Sequence, residues 1–289
     1  MTEIDLSRTD VGSCESFGAR WTKLAAERSA LCLGVAPSSS WLTRWDLGDD
    51  VRGAAAYCDR VLRVAAQVAA VKVQVPFFAR FGAQGLDLLA RFTKRCHEHG
   101  SLVVMDAKVG DADDTMDAYA DLYLGPGSRL GGDAVTANGY MGLRSIHPLA
   151  VRAGQVGAAV LVLVRTSNHA AGEVQQASST DERTVAQHLA DDIAAWNRAH
   201  APNASWGPFG AVVGARLPES ANLVARLPRC VVEVPGLGRP DRDTAEVLAA
   251  LPEDRGGALL TITTGVLRHG PDAGALRTAL EAWRERIRQ

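Results

Sequence analysis

The sequence predicts a single (β/α)8 TIM barrel with an extra N-terminal helix, as one domain over residues 1–289. Three observations predict this fold. Eight short runs rich in Val, Leu and Ala alternate with amphipathic stretches, no long Gly/Ser/Pro linker divides the chain, and the length suits a barrel of about 250 residues. Nearly continuous apolar runs are typical of parallel strands buried on both faces, and their alternation with helices favours a barrel.

The predicted strands are the eight apolar runs. Residues 84–98 and 182–199 carry apolar side chains at spacings of three and four, as helices packed on a core do. One further helix is predicted at 15–28, before the first strand, and another at 272–287, after the last. The polar segment 167–180 is long for a connection and is a candidate active-site loop. The strands are predicted at 31–36, 69–75, 102–107, 132–137, 158–164, 210–215, 230–234 and 258–263.

The composition excludes several classes of partner. The net charge is −2 and the basic residues are scattered, so nothing suggests binding to nucleic acid. No apolar run reaches the roughly 18 residues of a membrane helix, and the polar first twenty residues do not resemble a signal peptide. The five cysteines form no CxxC pair, which is typical of reduced thiols. We therefore expect a cytoplasmic protein that binds neither membrane nor nucleic acid.

Polar side chains stand at the predicted carboxyl ends of the strands, where barrel enzymes build their active sites. Lys72 lies between two valines in the second strand, and Asp106 and Lys108 end the third. Residues two apart in an extended chain share a face, so Asp106 and Lys108 should point the same way. Asn138 follows the fourth strand, Arg165, Thr166, Ser167 and Asn168 follow the fifth, and "PGLGRP" and "TTGVLRHG" follow the last two.

These charges suit one kind of chemistry. Lys72 in an apolar run must be paired, and a purely structural ion pair with Asp106 is the simpler interpretation. The nearby Lys108 and Asp111 favour an active site instead. Repulsion between a substrate carboxylate and Asp106 or Asp111 would be relieved when CO₂ leaves, and a neighbouring ammonium would stabilise the carbanion and protonate it. This scheme needs neither metal nor cofactor.

Several motifs carry a family resemblance. "DAKVGDADDTMDAYA" resembles the DAKRGDIGST-type signature of orotidine 5'-phosphate decarboxylases of the bacterial type 2 branch. "LCLGVAPSSSWL" is similar to their LCVGIDP motif, and "VKVQVPFFARFG" to VKPQxAFFExFG. "DAVTANGYMGLRS" resembles AVTASPYLGFGS, and "VRTSNHAAGEVQ" resembles TSNPEGAxVQ. "VEVPGLG" resembles LVPGVG, so the resemblance extends over most of the chain.

The resemblance implies a homodimer with shared active sites and a catalytic tetrad of Lys72, Asp106, Lys108 and Asp111. Lys108 would donate the proton, both aspartates would face the leaving carboxylate, and Asp111 would come from the neighbouring subunit. Lys72 would orient Asp106 and touch the ribose, while Thr115 would also reach across the dimer. Ser167 or Asn168 would hold the pyrimidine, and the other implied substrate-binding positions are Asn138, Arg165, Pro235, Gly236, Gly238, Thr264 and Gly265.

The sequence departs from the family pattern around the phosphate and the ribose. Ala36 replaces an Asp that binds ribose hydroxyls, while Thr264 and Pro240 stand where an Arg and a Gln contact the phosphate. Arg239, Arg242 and Arg268 either take over the phosphate or are surface residues. Asp113 and Asp114 either favour a helix N-terminus, contact the substrate, pair with Arg144, or hold a metal with Asp111. The specificity candidates are Ala36, Asp113, Asp114, Arg144, Arg239 and Pro240.

The resulting hypothesis is a cofactor-free decarboxylase, a specialised paralogue of this family. It would act on an orotidine-like pyrimidine nucleoside or nucleotide carboxylate, for example in the assembly of a nucleoside antibiotic. One alternative is the housekeeping orotidine 5'-phosphate decarboxylase of UMP biosynthesis with an unusual phosphate site. Others are a ligand-binding relative without catalysis and a barrel enzyme with a different reaction.

Overall fold

Eight parallel strands close into a barrel, each hydrogen-bonded to the next and the last to the first. The computed structural model describes residues 14–214, 217–239 and 257–288, with Ala245 and Leu251 between them. The strands are β1 (Leu31–Val35), β2 (Ala70–Gln74), β3 (Leu102–Val109), β4 (Ala134–Asn138), β5 (Ala159–Arg165), β6 (Phe209–Val213), β7 (Val232–Leu237) and β8 (Ala258–Ile262). The predicted (β/α)8 barrel and all eight predicted strands are therefore confirmed.

The helices lie between the strands. The predicted N-terminal helix is present as α1, and the helices predicted around residues 84–98, 182–199 and 272–287 are α5, α9 and α12. The described helices are α1 (Phe17–Glu27), α2 (Ser39–Arg44), α3 (Val51–Ala65), α4 (Pro76–Ala79), α5 (Gly82–Glu98), α6 (Asp113–Tyr123), α7 (His147–Val156), α8 (Ala171–Gln175), α9 (Val185–His200), α10 (Ser220–Ala225), α11 (Thr264–Leu267) and α12 (Ala273–Arg288). None of them is long and apolar enough to cross a membrane.

Capping side chains account for where several helices begin. The Ser16 hydroxyl accepts a hydrogen bond from the N–H of Ala19 at the start of α1, and Asp50 caps α3 in the same way. Thr184 and Gln187 form a reciprocal capping box at the start of α9. Each side chain satisfies an N–H that has no partner within its helix.

The barrel interior is layered because side chains alternate along each strand. Cys32, Ala70, Val104 and Leu259 form a lower layer, and they pack with Trp21 of α1. α1 therefore covers the N-terminal end of the barrel. Two residues further along β2, β3 and β8, the interior positions are polar, at Lys72, Asp106 and Thr261, while β1 has Gly34 there. The period of two thus places an apolar floor beneath a polar layer at the carboxyl ends.

A buried carboxylate joins α1 to the N-terminal end of the barrel. Asp133, 8% exposed, accepts hydrogen bonds from Arg20 at 2.6 Å and from the backbone N–H of Val103 at 2.7 Å, and it lies 2.8 Å from Nε2 of His97. Burial alone would raise the pKa of Asp133, but His97 and Arg20 outweigh burial and lower that pKa.

Replacing Asp133 by asparagine is expected to lower the free energy of unfolding by about 2 kcal/mol, because charged hydrogen bonds are lost from a buried site. A lowered carboxyl pKa stabilises the fold above the ordinary value of 3.8 and stops doing so as the pH falls through the folded-state pKa. The melting temperature of the wild type should therefore fall more steeply at acid pH than that of the variant. Asp121→Asn, which changes an exposed pair with Arg152, is the control and should change little. Equal acid sensitivity of the wild type and Asp133→Asn would contradict this role.

Candidate active site

A cavity of about 480 Å³ opens at the carboxyl ends of the strands. Its floor is the polar layer of the barrel, and its walls come from the segments that follow β1, β2, β5, β7 and β8. Its acidic and basic lining residues, among those described, are Lys72, Asp106, Lys108, Glu233 and Arg239. The cavity is thus large enough for a small molecule and contains both ammonium and carboxylate groups.

Two ammonium groups alternate with two carboxylates in this cavity. Lys108 Nζ donates to Asp106 Oδ1 at 2.5 Å, and Lys72 Nζ lies 3.6 Å from Asp106 Oδ2. Lys72 Nζ also donates to Glu233 Oε1 at 2.9 Å. The Thr136 hydroxyl donates to Asp106 Oδ1 at 2.9 Å, and the Thr261 hydroxyl donates to Glu233 Oε1. Every carboxylate of the network therefore has an ammonium and a hydroxyl partner.

The network keeps Lys72 and Asp106 ionised. Burial would lower the pKa of Lys72, but Glu233 and Asp106 outweigh burial, so that pKa is raised. Burial would raise the pKa of Asp106, but Lys72 and Lys108 outweigh it and lower that pKa. Lys72 is therefore a fixed positive charge and Asp106 a fixed negative charge near neutral pH.

The backbone at Lys108 is strained. Its φ angle is +49°, in the left-handed region that a residue with a side chain rarely adopts, and β3 has an irregular register with β4 between Met105 and Val109. The Lys108 N–H donates to Thr136 Oγ1 at 2.9 Å, and Asn138 Nδ2 donates to the Lys108 carbonyl at 3.0 Å. Asp106 and Lys108 do meet as predicted, but through this bend rather than an extended chain. Such strain is concentrated at functional sites.

The structure brings about half of the predicted substrate-binding and specificity residues to the cavity. Ser167 and Asn168 line it at the beginning of the predicted loop 167–180, whose remainder includes the short helix α8. The others that line it are Ala36, Pro235, Gly236, Arg239 and Thr264.

Three other predicted positions serve the surrounding structure. The buried Arg165 side chain donates to Glu219 at 2.6 Å and to the carbonyl of Thr166 at 2.8 Å. Gly238 and Gly265 lie against each other, and a Cβ on either would come within about 3 Å of the other and of Trp283. These residues support the cavity from outside its lining.

Two of the acids beyond β3, Asp111 and Asp114, lie on the surface of the chain. Asp111 is exposed, and its Oδ1 accepts from the N–H of Ala112, while Asp114 and Thr115 are exposed in the first turn of α6. Arg144 is exposed in a 3-10 helix over Leu143–Ile146, and Arg268 is exposed after α11. Pro240, Arg242 and the side chain of Asp113 lie outside the described residues. Among the described side chains, no group of three or more His, Cys, Asp or Glu is placed to hold a metal.

Sequence reasoning missed Glu233. Its signal was present, because a glutamate inside "CVVEVPG" interrupts an apolar strand just as Lys72 interrupts "AVKVQV".

The scarcity of lysine is a further sequence signal, and it points to Lys72 and Lys108. The chain has 31 basic residues, of which four are lysines, and two of the four are in the cavity. Lysine can release a proton, whereas arginine stays charged.

The cavity at the carboxyl ends of the strands contains fixed charges of both signs. This arrangement is typical of enzymes with a (β/α)8 barrel. The family model described as "Orotidine 5'-phosphate decarboxylase / HUMPS family" matches residues 43–279, and the chain belongs to this family. Its full-length relatives within this family are named orotidine 5'-phosphate decarboxylases, so the protein is a decarboxylase, a carbon–carbon lyase.

The similarity covers nearly the whole chain. An orotidine 5'-phosphate decarboxylase of Myxococcus xanthus is 38% identical over 92% of this chain and 93% of its own. One from Streptomyces coelicolor is 39% identical over 95% and 98%. A crystal structure of a Streptomyces avermitilis protein covers 96% of this chain and 97% of its own, with a TM-score of 0.88 and 39% identity. The OMP decarboxylase of Leishmania donovani covers 94% and 97%, with a TM-score of 0.76 and 29% identity.

Proposed function

We propose that the protein converts orotidine 5'-phosphate to UMP and CO₂, which is the housekeeping alternative of the sequence analysis. The observation that carries this proposal is the alternating network of Lys72, Asp106 and Lys108 in the cavity. The near full-length similarity to enzymes named for this substrate supports it over a specialised substrate.

In the proposed reaction, the carboxylate of Asp106 acts first and the ammonium of Lys108 acts second. The substrate carboxylate would approach the carboxylate of Asp106, which stays ionised because two ammonium groups adjoin it. The bond between the ring carbon and the carboxylate breaks, CO₂ leaves, and the electron pair stays on the ring carbon. Lys108 stabilises this carbanion and transfers a proton from Nζ to it, so the product ring carries hydrogen. Solvent then reprotonates Lys108.

The remaining groups of the cavity would bind the rest of the substrate. Ser167 and Asn168 lie after β5, where they would contact the pyrimidine, and Lys72 would contact the ribose. The position of Arg239, which lines the cavity together with Gly236, supports a role for Arg239 in binding the phosphate. Arg268 is not part of that lining. We therefore assign the 5'-phosphate to Arg239, since guanidinium binds phosphate with paired hydrogen bonds.

Arg239→Ala is expected to raise the KM for orotidine 5'-phosphate by about 10- to 100-fold, because one charge-assisted contact to phosphate is lost. The measurement is steady-state kinetics with orotidine 5'-phosphate and with orotidine, which has no phosphate. The orotidine rate should be nearly unchanged. Arg268→Ala is the matched control and should behave as the wild type. An equal effect of both variants, or an equal loss with both substrates, would argue against the assignment.

The surface beside the cavity supports a homodimer with shared active sites. Asp111 is exposed rather than part of the cavity lining of its own chain, which suits contribution to a neighbouring one. Tyr140 is 81% and Met141 is 55% exposed, in the loop that follows Asn138. Asn138 lies against Gly110, the residue before Asp111. Exposed large apolar side chains next to a site are typical of an interface.

A direct assay of the products tests which substrate the protein decarboxylates. The purified protein is incubated with orotidine 5'-phosphate and, separately, with orotidine, and the products are separated by chromatography. Rapid formation of UMP from the nucleotide is the expected result. Turnover of orotidine together with failure on the nucleotide would overturn the proposal in favour of the specialised paralogue.

A further inference from the structure

We propose that Glu233 is a positioning residue of the active site. It forms an ion pair with Lys72, and Asp106 can therefore pair with Lys108. The proposal deepens the proposed function, although its geometric part does not depend on which substrate is used. Glu233 lies outside the Lys-Asp-Lys-Asp tetrad that the family resemblance implies.

The contacts of Lys72 carry this inference. Its ammonium lies 2.9 Å from Glu233 Oε1 but 3.6 Å from the nearer oxygen of Asp106. Glu233 therefore makes the shorter ion pair. Asp106 in turn makes its short contact, 2.5 Å, with Lys108. The four groups thus divide into two ion pairs joined by the longer contact.

Charge balance explains why a second acid is needed. Among the described residues that line the cavity, Asp106 and Glu233 are the two acids. Without Glu233, one carboxylate would face two ammonium groups, and the side chain of one of them, Lys72, is 13% exposed and so largely shielded from water. Both lysines would then compete for Asp106, and one buried cation would lack a close partner, which is costly.

The position of Glu233 suits this role. It comes from β7, while Lys72 comes from β2, so the pair spans the barrel interior past β1 and β8. Glu233 is 1% exposed, and the hydroxyl of Thr261 in β8 also donates to its Oε1. A carboxylate held in this way fixes the place of the Lys72 ammonium rather than meeting the substrate in the open cavity.

The scarcity of lysine allows a direct test that needs no substrate. Protein labelled with carbon-13 at the lysine Cε should give four ε signals, from Lys23, Lys72, Lys94 and Lys108, which single Lys→Arg variants assign. Among the described residues, the charged groups around Lys72 are Glu233 from β7 and Asp106 from β3, with Lys108 on the other oxygen of Asp106 and the Cys32 thiol of β1 close by. In Glu233→Gln, the Lys72 signal is expected to titrate at lower pH than in the wild type, by about one unit or more, because an opposite charge has been removed.

Two comparisons complete the experiment. Asp133→Asn also removes a buried carboxylate, but at the other end of the barrel, and should leave the Lys72 signal unchanged. Glu233→Asp keeps the charge and should lie between the wild type and Glu233→Gln, and it remains informative if the glutamine variant fails to fold. If the Lys72 titration is the same in the wild type and in whichever of these position-233 variants folds, the proposal is overturned.

Kinetics provides a second readout. If Lys72 is displaced, kcat for orotidine 5'-phosphate should fall about 10- to 100-fold in Glu233→Gln, while Asp133→Asn should keep the wild-type kcat. On the alkaline limb of the pH–activity profile, the activity of Glu233→Gln should decline at a lower pH than that of the wild type. If the wild type fails to turn over this substrate, the proposed function fails, and the lysine spectra still decide the role of Glu233. Wild-type kcat and an unshifted pH profile in Glu233→Gln would count against it.

Discussion

Replacing Lys108 by alanine is expected to lower kcat for orotidine 5'-phosphate by about 10⁴-fold, which is the upper range for a lost general acid. The variant would lack both the ammonium that stabilises the carbanion and the proton that replaces CO₂. Asp106 would still be paired with Lys72, 3.6 Å away, so the fold should survive. The measurement is steady-state decarboxylation, with circular dichroism to verify folding.

Two lysine variants sharpen the test of Lys108. Lys108→Arg keeps the positive charge but cannot readily give up a proton, so it should remain nearly inactive if proton transfer is needed. Lys94→Ala removes an exposed lysine of α5 and should keep full activity. Substantial turnover by Lys108→Ala would show that another group protonates the product, and the proposed role would be wrong.

Mixing two inactive variants is expected to restore activity, if Asp111 acts across a dimer interface. Asp111→Ala and Lys108→Ala would each be inactive as homodimers. In a mixed dimer, one of the two sites would receive Lys108 and Asp111 intact, from different chains. A one-to-one mixture that exchanges subunits should therefore regain about one quarter of wild-type activity, as two-fold symmetry requires.

The exchange itself supplies the controls. Mixing each variant with itself should restore nothing, and activity should appear at the rate at which subunits exchange. Analytical ultracentrifugation measures the dimer independently. If both variants dimerise and exchange but the mixture stays inactive, Asp111 does not act on the partner's site. A monomeric wild type with full activity would exclude the shared site altogether.

Much of the fold could be predicted because parallel strands leave a strong local pattern. Runs such as "AAVLVLV" are apolar at almost every position, since both faces of the strand are buried. The strand ends were less predictable. β7 was expected to end at residue 234 but extends to Leu237, past Pro235, with an irregular register. The neighbouring strand β8 pairs with this extension, at Pro235 with Thr261 and at Leu237 with Ile262, and that pairing is not visible in the local sequence.

The candidate site also contains some residues that could be predicted from the sequence and others that could not. Lys72, Asp106 and Lys108 could be found because charged residues in apolar runs must be paired, and all three lie in the cavity. Arg165 looked equally suitable, yet its guanidinium binds Glu219, which lies 54 residues further along the chain. Whether a polar residue faces the cavity or the surrounding structure depends on partners that are distant in sequence.

Reading the amino-acid sequence alone is enough to predict the barrel, the polar layer at the carboxyl ends of its strands and the decarboxylase family. These follow from local periodicity and from motifs a few residues long. The pairing of the charges becomes visible only in three dimensions, because closing the barrel brings β2 and β7 together across its interior. That closure places Glu233 against Lys72, separated by 161 residues. It also bends the backbone at Lys108, where contacts with Thr136 and Asn138 of β4 hold a conformation that the local sequence disfavours.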